Sequence, residues 1–199
     1  MSVAGRFRQS RFTSSRERRL WVWTVVVVAA IYATLGLARS LADVLRNEEL
    51  LGGVFFVAFL AALTAVGILG LKRRPRTGEI GVLLGVAAVY LMAFSRLGVI
   101  EERTHLFEYT IVAVLIHEAL KERIGQGRAV RFPALIAIGA TAALGWLDEG
   151  IQAILPNRVY DIRDVFFNVF AGVMAVGASV ALARVRGSGR SDERPADGS

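Results

Sequence analysis

The 199-residue chain contains no cysteine and only two histidines, and each scarcity removes a class of protein. Without cysteine there is no disulfide scaffold, no thiol nucleophile and no thiolate-held metal or iron–sulfur centre. The histidines, His105 and His117, stand twelve residues apart, about 18 Å along one helix, too far to share a zinc ion. His117-Glu118 also lacks the second histidine of a zinc-protease helix, and Ser95 lacks the flanking glycines of a nucleophile elbow. No Gly-rich phosphate loop or dinucleotide fingerprint occurs, so neither a metal nor a soluble cofactor is expected.

Apolar residues are abundant: 54% of the chain is hydrophobic and 21% charged, with a mean hydropathy of +0.50. They collect in runs of about twenty residues, the length that crosses a hydrocarbon core of ~30 Å. A soluble core would break such runs with polar positions at every third or fourth residue. The net charge of +7 and pI near 10.7 do not mark a nucleic-acid binder, because the basic residues lie between the apolar runs, where they set topology and attract anionic lipid headgroups. The reading is an all-α polytopic membrane protein with six spans, at 20–38, 51–71, 80–100, 106–120, 132–155 and 165–185.

Residues 1–19 and 187–199 are polar and are expected as disordered tails flanking a transmembrane domain at 20–186. Eighteen Lys and Arg lie in 1–19, 72–79, 121–131 and from Arg184 onward, against six in the alternate connections. Both termini are therefore expected in the cytoplasm. The connection 39–50 carries Leu41, Val44 and Leu45 on one helical face and reads as a short helix on the outer surface. The fourth span is short and interrupted by Glu108, His117 and Glu118, which fits a helix inside the bundle or one that thins the bilayer locally. Small residues at Gly67, Gly70, Gly81, Gly85, Gly139, Ala140, Ala143, Ala171, Gly172 and Gly177 are expected to bring helices of one chain together.

The remaining polar residues fall on the outward side, in three groups. Glu101, Glu102, Arg103, His105, Glu108 and Tyr109 open the fourth span, Asp148, Glu149 and Gln152 end the fifth, and Arg158, Asp161, Asp164 and Asn168 open the sixth. At about 100° per residue, His105, Glu108 and Tyr109 share a face, as do Asp161, Asp164 and Asn168. A charge within a membrane costs ~2.5 to 3.5 kcal/mol on the insertion scale, so the three faces are expected to converge. Asp161 taken alone reads first as the N-cap of the sixth helix.

These residues carry a resemblance. Glu102 to Tyr109, Leu147 to Gln152, Pro156-Asn157-Arg158, Asp161, Asp164, Asn168 and Gly172 resemble the VanZ-like family over roughly 83–185, with Ile151 where a second histidine is common and Glu102-Arg103 where an acid-Lys pair is usual. The resemblance implies a multi-pass protein of the bacterial cytoplasmic membrane and cell envelope, in some cases linked to glycopeptide susceptibility.

Three functions follow, in order of preference. The first is a binding protein whose outward cluster holds a lipid headgroup or cell-wall component, with Arg103 and Arg158 on its phosphate or carboxylate. Its expected ligand set is Glu102, Arg103, His105, Tyr109, Asp148, Glu149, Gln152, Arg158, Asp161, Asp164 and Asn168, and its partners are membrane lipids, anionic or polyprenyl-phosphate. The second is an intramembrane enzyme acting on a polyprenyl-phosphate lipid, with His105 as acid or base and Asp148 or Glu149 orienting it. The third is a cation-coupled transporter using the carboxylates.

Overall fold

The computed structural model describes residues 12–47, 77–96, 100–155 and 160–191. All regular structure among them is helical, in five helices: α1 (Ser15–Asn47), α2 (Thr77–Arg96), α3 (Ile100–Gly125), α4 (Pro133–Gln152) and α5 (Ile162–Ser191). Ser15–Leu35 of α1, Pro133–Gln152 and Ile162–Ser188 of α5 are long and apolar enough to cross a membrane, which points to a membrane protein. The expected second span at 51–71 lies outside the described residues.

The helix limits depart from the sequence reading for local reasons. The stretch expected as a tail through residue 19 is helical from Ser15. The Ser14 hydroxyl accepts the Glu17 amide at 3.0 Å, and the Glu17 carboxylate accepts both the amide and the hydroxyl of Thr13 at 2.6 Å. This is a variant of the capping box that satisfies the orphan donors of a first turn. Residues 39–47 of the expected surface helix are instead a continuation of α1, which runs to Asn47 without an intervening proline or a glycine beyond Gly36. Its 33 residues extend ~50 Å, well past a hydrocarbon core. α3 has 26 residues rather than the fifteen of its apolar run, since its charged flanks are good helix formers. α5 continues through Ser191, beyond the expected limit at 186.

α3 lies at the centre, against α1, α4 and α5, and α2 packs on α5. Leu106, Tyr109, Val112, Ala113, Ile116, Ala119 and Leu120 are buried along α3 at three- and four-residue intervals, and Val112, Ala113, Ile116 and Leu120 form a core with Ile31, Ala137, Ala175 and Val176. At one end of the bundle, Arg16 pairs with Glu122 at 3.0 Å, Arg123 with the buried Glu17 at 2.8 Å, and Arg186 with Glu79 at 2.9 Å. These contacts join the start of α1 to the end of α3, and the start of α2 to the end of α5. α3 then turns back through a Schellman closure, in which Arg128 N donates to Arg123 O and Gly127 N to Ile124 O, with Gly127 at φ 83°. Pro133 starts α4 at a position where its missing N–H has no helical partner to lose.

Hydropathy runs outward. Trp23, Val25, Leu84, Trp146 and Phe166 are exposed, while Asp148, Glu149 and Asn168 are wholly buried. Such a surface is stable against lipid rather than water.

Candidate functional site

The start of α3, the end of α4 and the start of α5 meet at the end of the bundle opposite the ion pairs. His105 lies five residues into α3, Asp148 four from the end of α4 and Asn168 six into α5, which sets the group ~6 to 9 Å inside the helix ends. The buried positions of α4 are Ala137, Thr141, Gly145, Asp148, Glu149 and Gln152, one continuous stripe. This stripe faces Asn168 and Gly172 of α5. A Cβ built on Gly145 would lie 2.6 Å from Asn168 Cβ, and one on Gly172 would lie 3.4 Å from Thr141 Cγ2. Glycine therefore lets α4 and α5 approach where the polar residues must face each other. Gly81, Gly85, Gly139 and Gly177, expected at such contacts, meet nothing within 4 Å among the described residues.

His105 Nδ1 stands 3.4 Å from Asp148 Oδ2 and 3.9 Å from Glu108 Oε2. Asp148 has zero exposure, so the imidazole and carboxylate interact without bulk water between them. Glu149, equally buried, accepts a hydrogen bond from Gln152 Nε2 at 2.9 Å and another from the Asp161 backbone N–H at 3.1 Å. Glu149 thereby ties the end of α4 to the entry of α5. His105, Asp148 and Glu149 offer donor atoms that all lie within 4.8 Å of one another, the spacing a metal ion requires.

Two phenols fix the turn below. Tyr32 of α1 and Tyr109 of α3 both donate to the Leu144 carbonyl, at 2.8 and 3.3 Å, one turn before Asp148. The Tyr109 ring lies 6.2 Å from the His105 ring, centroid to centroid, and Tyr90 shares a 2.6 Å hydrogen bond with Thr110 of α3.

Of the expected residues, His105, Tyr109, Asp148, Glu149, Gln152 and Asn168 are buried in this group. Asp164 is half-buried one turn before Asn168. Asp161 contributes through its backbone only. Its side chain is exposed and accepts the Arg163 amide at 2.8 Å, the capping role expected of it alone. Glu102 and Arg103 belong to α3, but their side chains lie outside the described residues, as does Arg158 entirely. Tyr32, Gly145 and Thr141 were not among the expected residues. A lone phenol within an apolar run was the available signal for Tyr32. Gly145 was legible only as the residue one turn before Asp148 on the same face. The expectation that no metal binds rested on the distance between two histidines, whereas the group assembled here has one histidine and two carboxylates.

No family model matches the chain, and no curated protein or solved structure shows detectable similarity to it. The VanZ-like resemblance therefore rests on the residues quoted for it.

Proposed function

We propose that the chain is a multi-pass protein of a bacterial cytoplasmic membrane, both termini cytoplasmic, whose outward polar group binds the headgroup of a lipid or a component of the cell wall. The supporting observation is the burial of His105, Asp148, Glu149, Gln152 and Asn168 between three helices whose outer faces are apolar. Groups so costly within a membrane persist when they face one another and a polar ligand. Lying ~6 to 9 Å inside the helix ends, the group is near enough to the outer face for a headgroup of the adjacent leaflet to reach it in this reading.

Sidedness follows from the basic residues. The Arg16, Lys121, Arg123 and Arg186 end, opposite the polar group, is the cytoplasmic end by the positive-inside rule. α1 ends at the polar-group end while α2 begins at the other, which is compatible with a second span at 51–71 between them. In this reading Arg103 and Arg158 hold phosphate or carboxylate oxygens, and the VanZ-like resemblance makes glycopeptide susceptibility the cellular phenotype to measure.

Native mass spectrometry of the purified chain with phosphatidylglycerol, a polyprenyl phosphate and phosphatidylcholine tests this. The expected result is retention of an anionic lipid over phosphatidylcholine. Gln152→Ala should weaken it by about tenfold, the worth of one charge-assisted hydrogen bond. Equal retention of all three lipids by the native chain and by a normally accumulating Gln152→Ala variant would remove the reading.

The 3.4 Å His105–Asp148 pair favours a second reading, an intramembrane enzyme in which His105 moves a proton and Asp148 orients the ring. Release of inorganic phosphate from a polyprenyl phosphate or diphosphate, abolished by His105→Gln, separates turnover from binding.

A further inference from the structure

We infer that His105, Asp148 and Glu149 form a binding site for one divalent cation of the zinc or manganese class, with the Gln152 and Asn168 amides in its surroundings. The donor set is one imidazole nitrogen and two carboxylates, from two helices, and all three residues are buried with donor atoms within 4.8 Å of one another. Their spacing suits an ion. A cation ~2.1 Å from both His105 Nδ1 and Asp148 Oδ2, which stand 3.4 Å apart, subtends roughly 108° between them, close to the tetrahedral angle. Imidazole selects against magnesium and calcium, and the absence of thiolate selects against the softest ions.

Two observations beyond the spacing point the same way. First, Asp148 and Glu149 are neighbours with zero exposure, and buried charges are paired or coordinate metals. Second, the Asn168 amide is fully buried and neither Nδ2 nor Oδ1 has a hydrogen-bond partner among the described residues. It lies against Gly145, one turn before Asp148 on the same face of α4. A hydrated cation supplies donors for Asn168 Oδ1, and an oxygen of a bound anion accepts from Nδ2, so both ends of the amide gain partners at once.

The cation also resolves a conflict of charge. A group built on carboxylates repels a phosphate headgroup, whereas a dication held by them cancels their charge and offers an open coordination position to a phosphate oxygen. This deepens the headgroup-binding reading and depends on it for the cation's purpose, while the cation's presence is independent of it.

The test uses the full chain purified in detergent, stripped with chelator and titrated with zinc or manganese in excess magnesium. About one equivalent per chain is expected. His105→Gln, Asp148→Asn and Glu149→Gln should each lower the affinity by more than about tenfold, while Glu118→Gln at the opposite end binds as the native chain does. If ligand variants accumulate poorly, the native chain still decides: failure to take up either ion overturns the site, as do three well-folded variants that bind normally. Phosphatidylglycerol retention is then compared with and without metal. Retention that requires the metal supports both readings, and metal uptake without any lipid retention supports the site while removing the headgroup role. Equal lipid retention by stripped and loaded protein leaves the headgroup reading standing and overturns the cation's part in it.

Discussion

Gly145 shows how one missing methyl group positions a polar site. Its hydrogen lets Asn168 sit where any larger side chain would collide, so Gly145→Ala forces α4 from α5 or displaces the amide. Overpacking of this kind costs about 1 to 3 kcal/mol. Gly172→Ala meets Thr141 at an ordinary contact distance and Gly139→Ala meets nothing, so thermal unfolding in detergent should rank the three with Gly145→Ala lowest and Gly139→Ala near the native chain. A Gly139→Ala variant as damaged as Gly145→Ala would show that the helices meet elsewhere. At the other end Glu122 accepts hydrogen bonds from the Ser14 hydroxyl and Gln126 and pairs with Arg16, and these hold its carboxyl below the usual 4.5. A carboxyl with a lowered folded value stabilises the fold above its unfolded value and loses that effect as the pH falls through the folded one. The protection of the first-turn amides of α1, taken relative to intrinsic exchange at each pH, should therefore fall below pH 4.5, and Glu122→Gln should abolish the dependence on this group. Which side chains share the site was legible residue by residue: the 100° spacing joins Asp148 with Gln152 and Asp164 with Asn168 without any structure. The role of Glu149 was not, because its second partner is a backbone amide twelve residues away, and backbone donors leave no mark in a sequence.

Helix ends obeyed local chemistry where composition misled. Residues 12–19 read as tail by their arginines, yet Ser14 and Glu17 stand three apart as a capping box does, and that pattern, rather than the charge content, sets the start of α1. The short apolar run of α3 left open a helix inside the bundle or a locally thinned bilayer; the buried stripe favours the first, while the charged flanks lengthen the helix. The turn after α3 depends on Gly127 at φ 83°, where a side chain is strained. Gly127→Ala should lower stability by about 1 kcal/mol. Gly125→Ala, at a helical glycine with open space around it, should be neutral or slightly stabilising. Unfolding of the two variants side by side checks the assignment, and equal effects would rule out a left-handed cap at 127.

At the scale of the whole molecule, α2, α3, α4 and α5 alternate in direction between an end rich in Arg and Lys and an end that gathers the buried acids and His105, and α1 starts at the same end as α2. The distribution of basic residues in the sequence underlies the proposed six-span topology, whose second span at 51–71 lies outside the described residues. The sequence could not carry the packing partners, since apolar runs of similar length do not specify which helix touches which, and contacts such as Tyr32 to Leu144 join residues 112 apart. The orientation in the membrane gives the sharpest test, because the native chain has no cysteine and any single introduced thiol is unique. Tyr160 and Gln126 are both exposed and lie in connections at opposite ends, beside the start of α5 and the end of α3. On intact cells an impermeant maleimide should label Tyr160→Cys and not Gln126→Cys, and permeabilisation should expose the latter. Labelling of Gln126→Cys alone before permeabilisation inverts the protein and turns the polar group toward the cytoplasm, where no cell-wall component could reach it. Labelling of both thiols on intact cells would mean that no bilayer separates the two ends, and the membrane-spanning arrangement itself would fall.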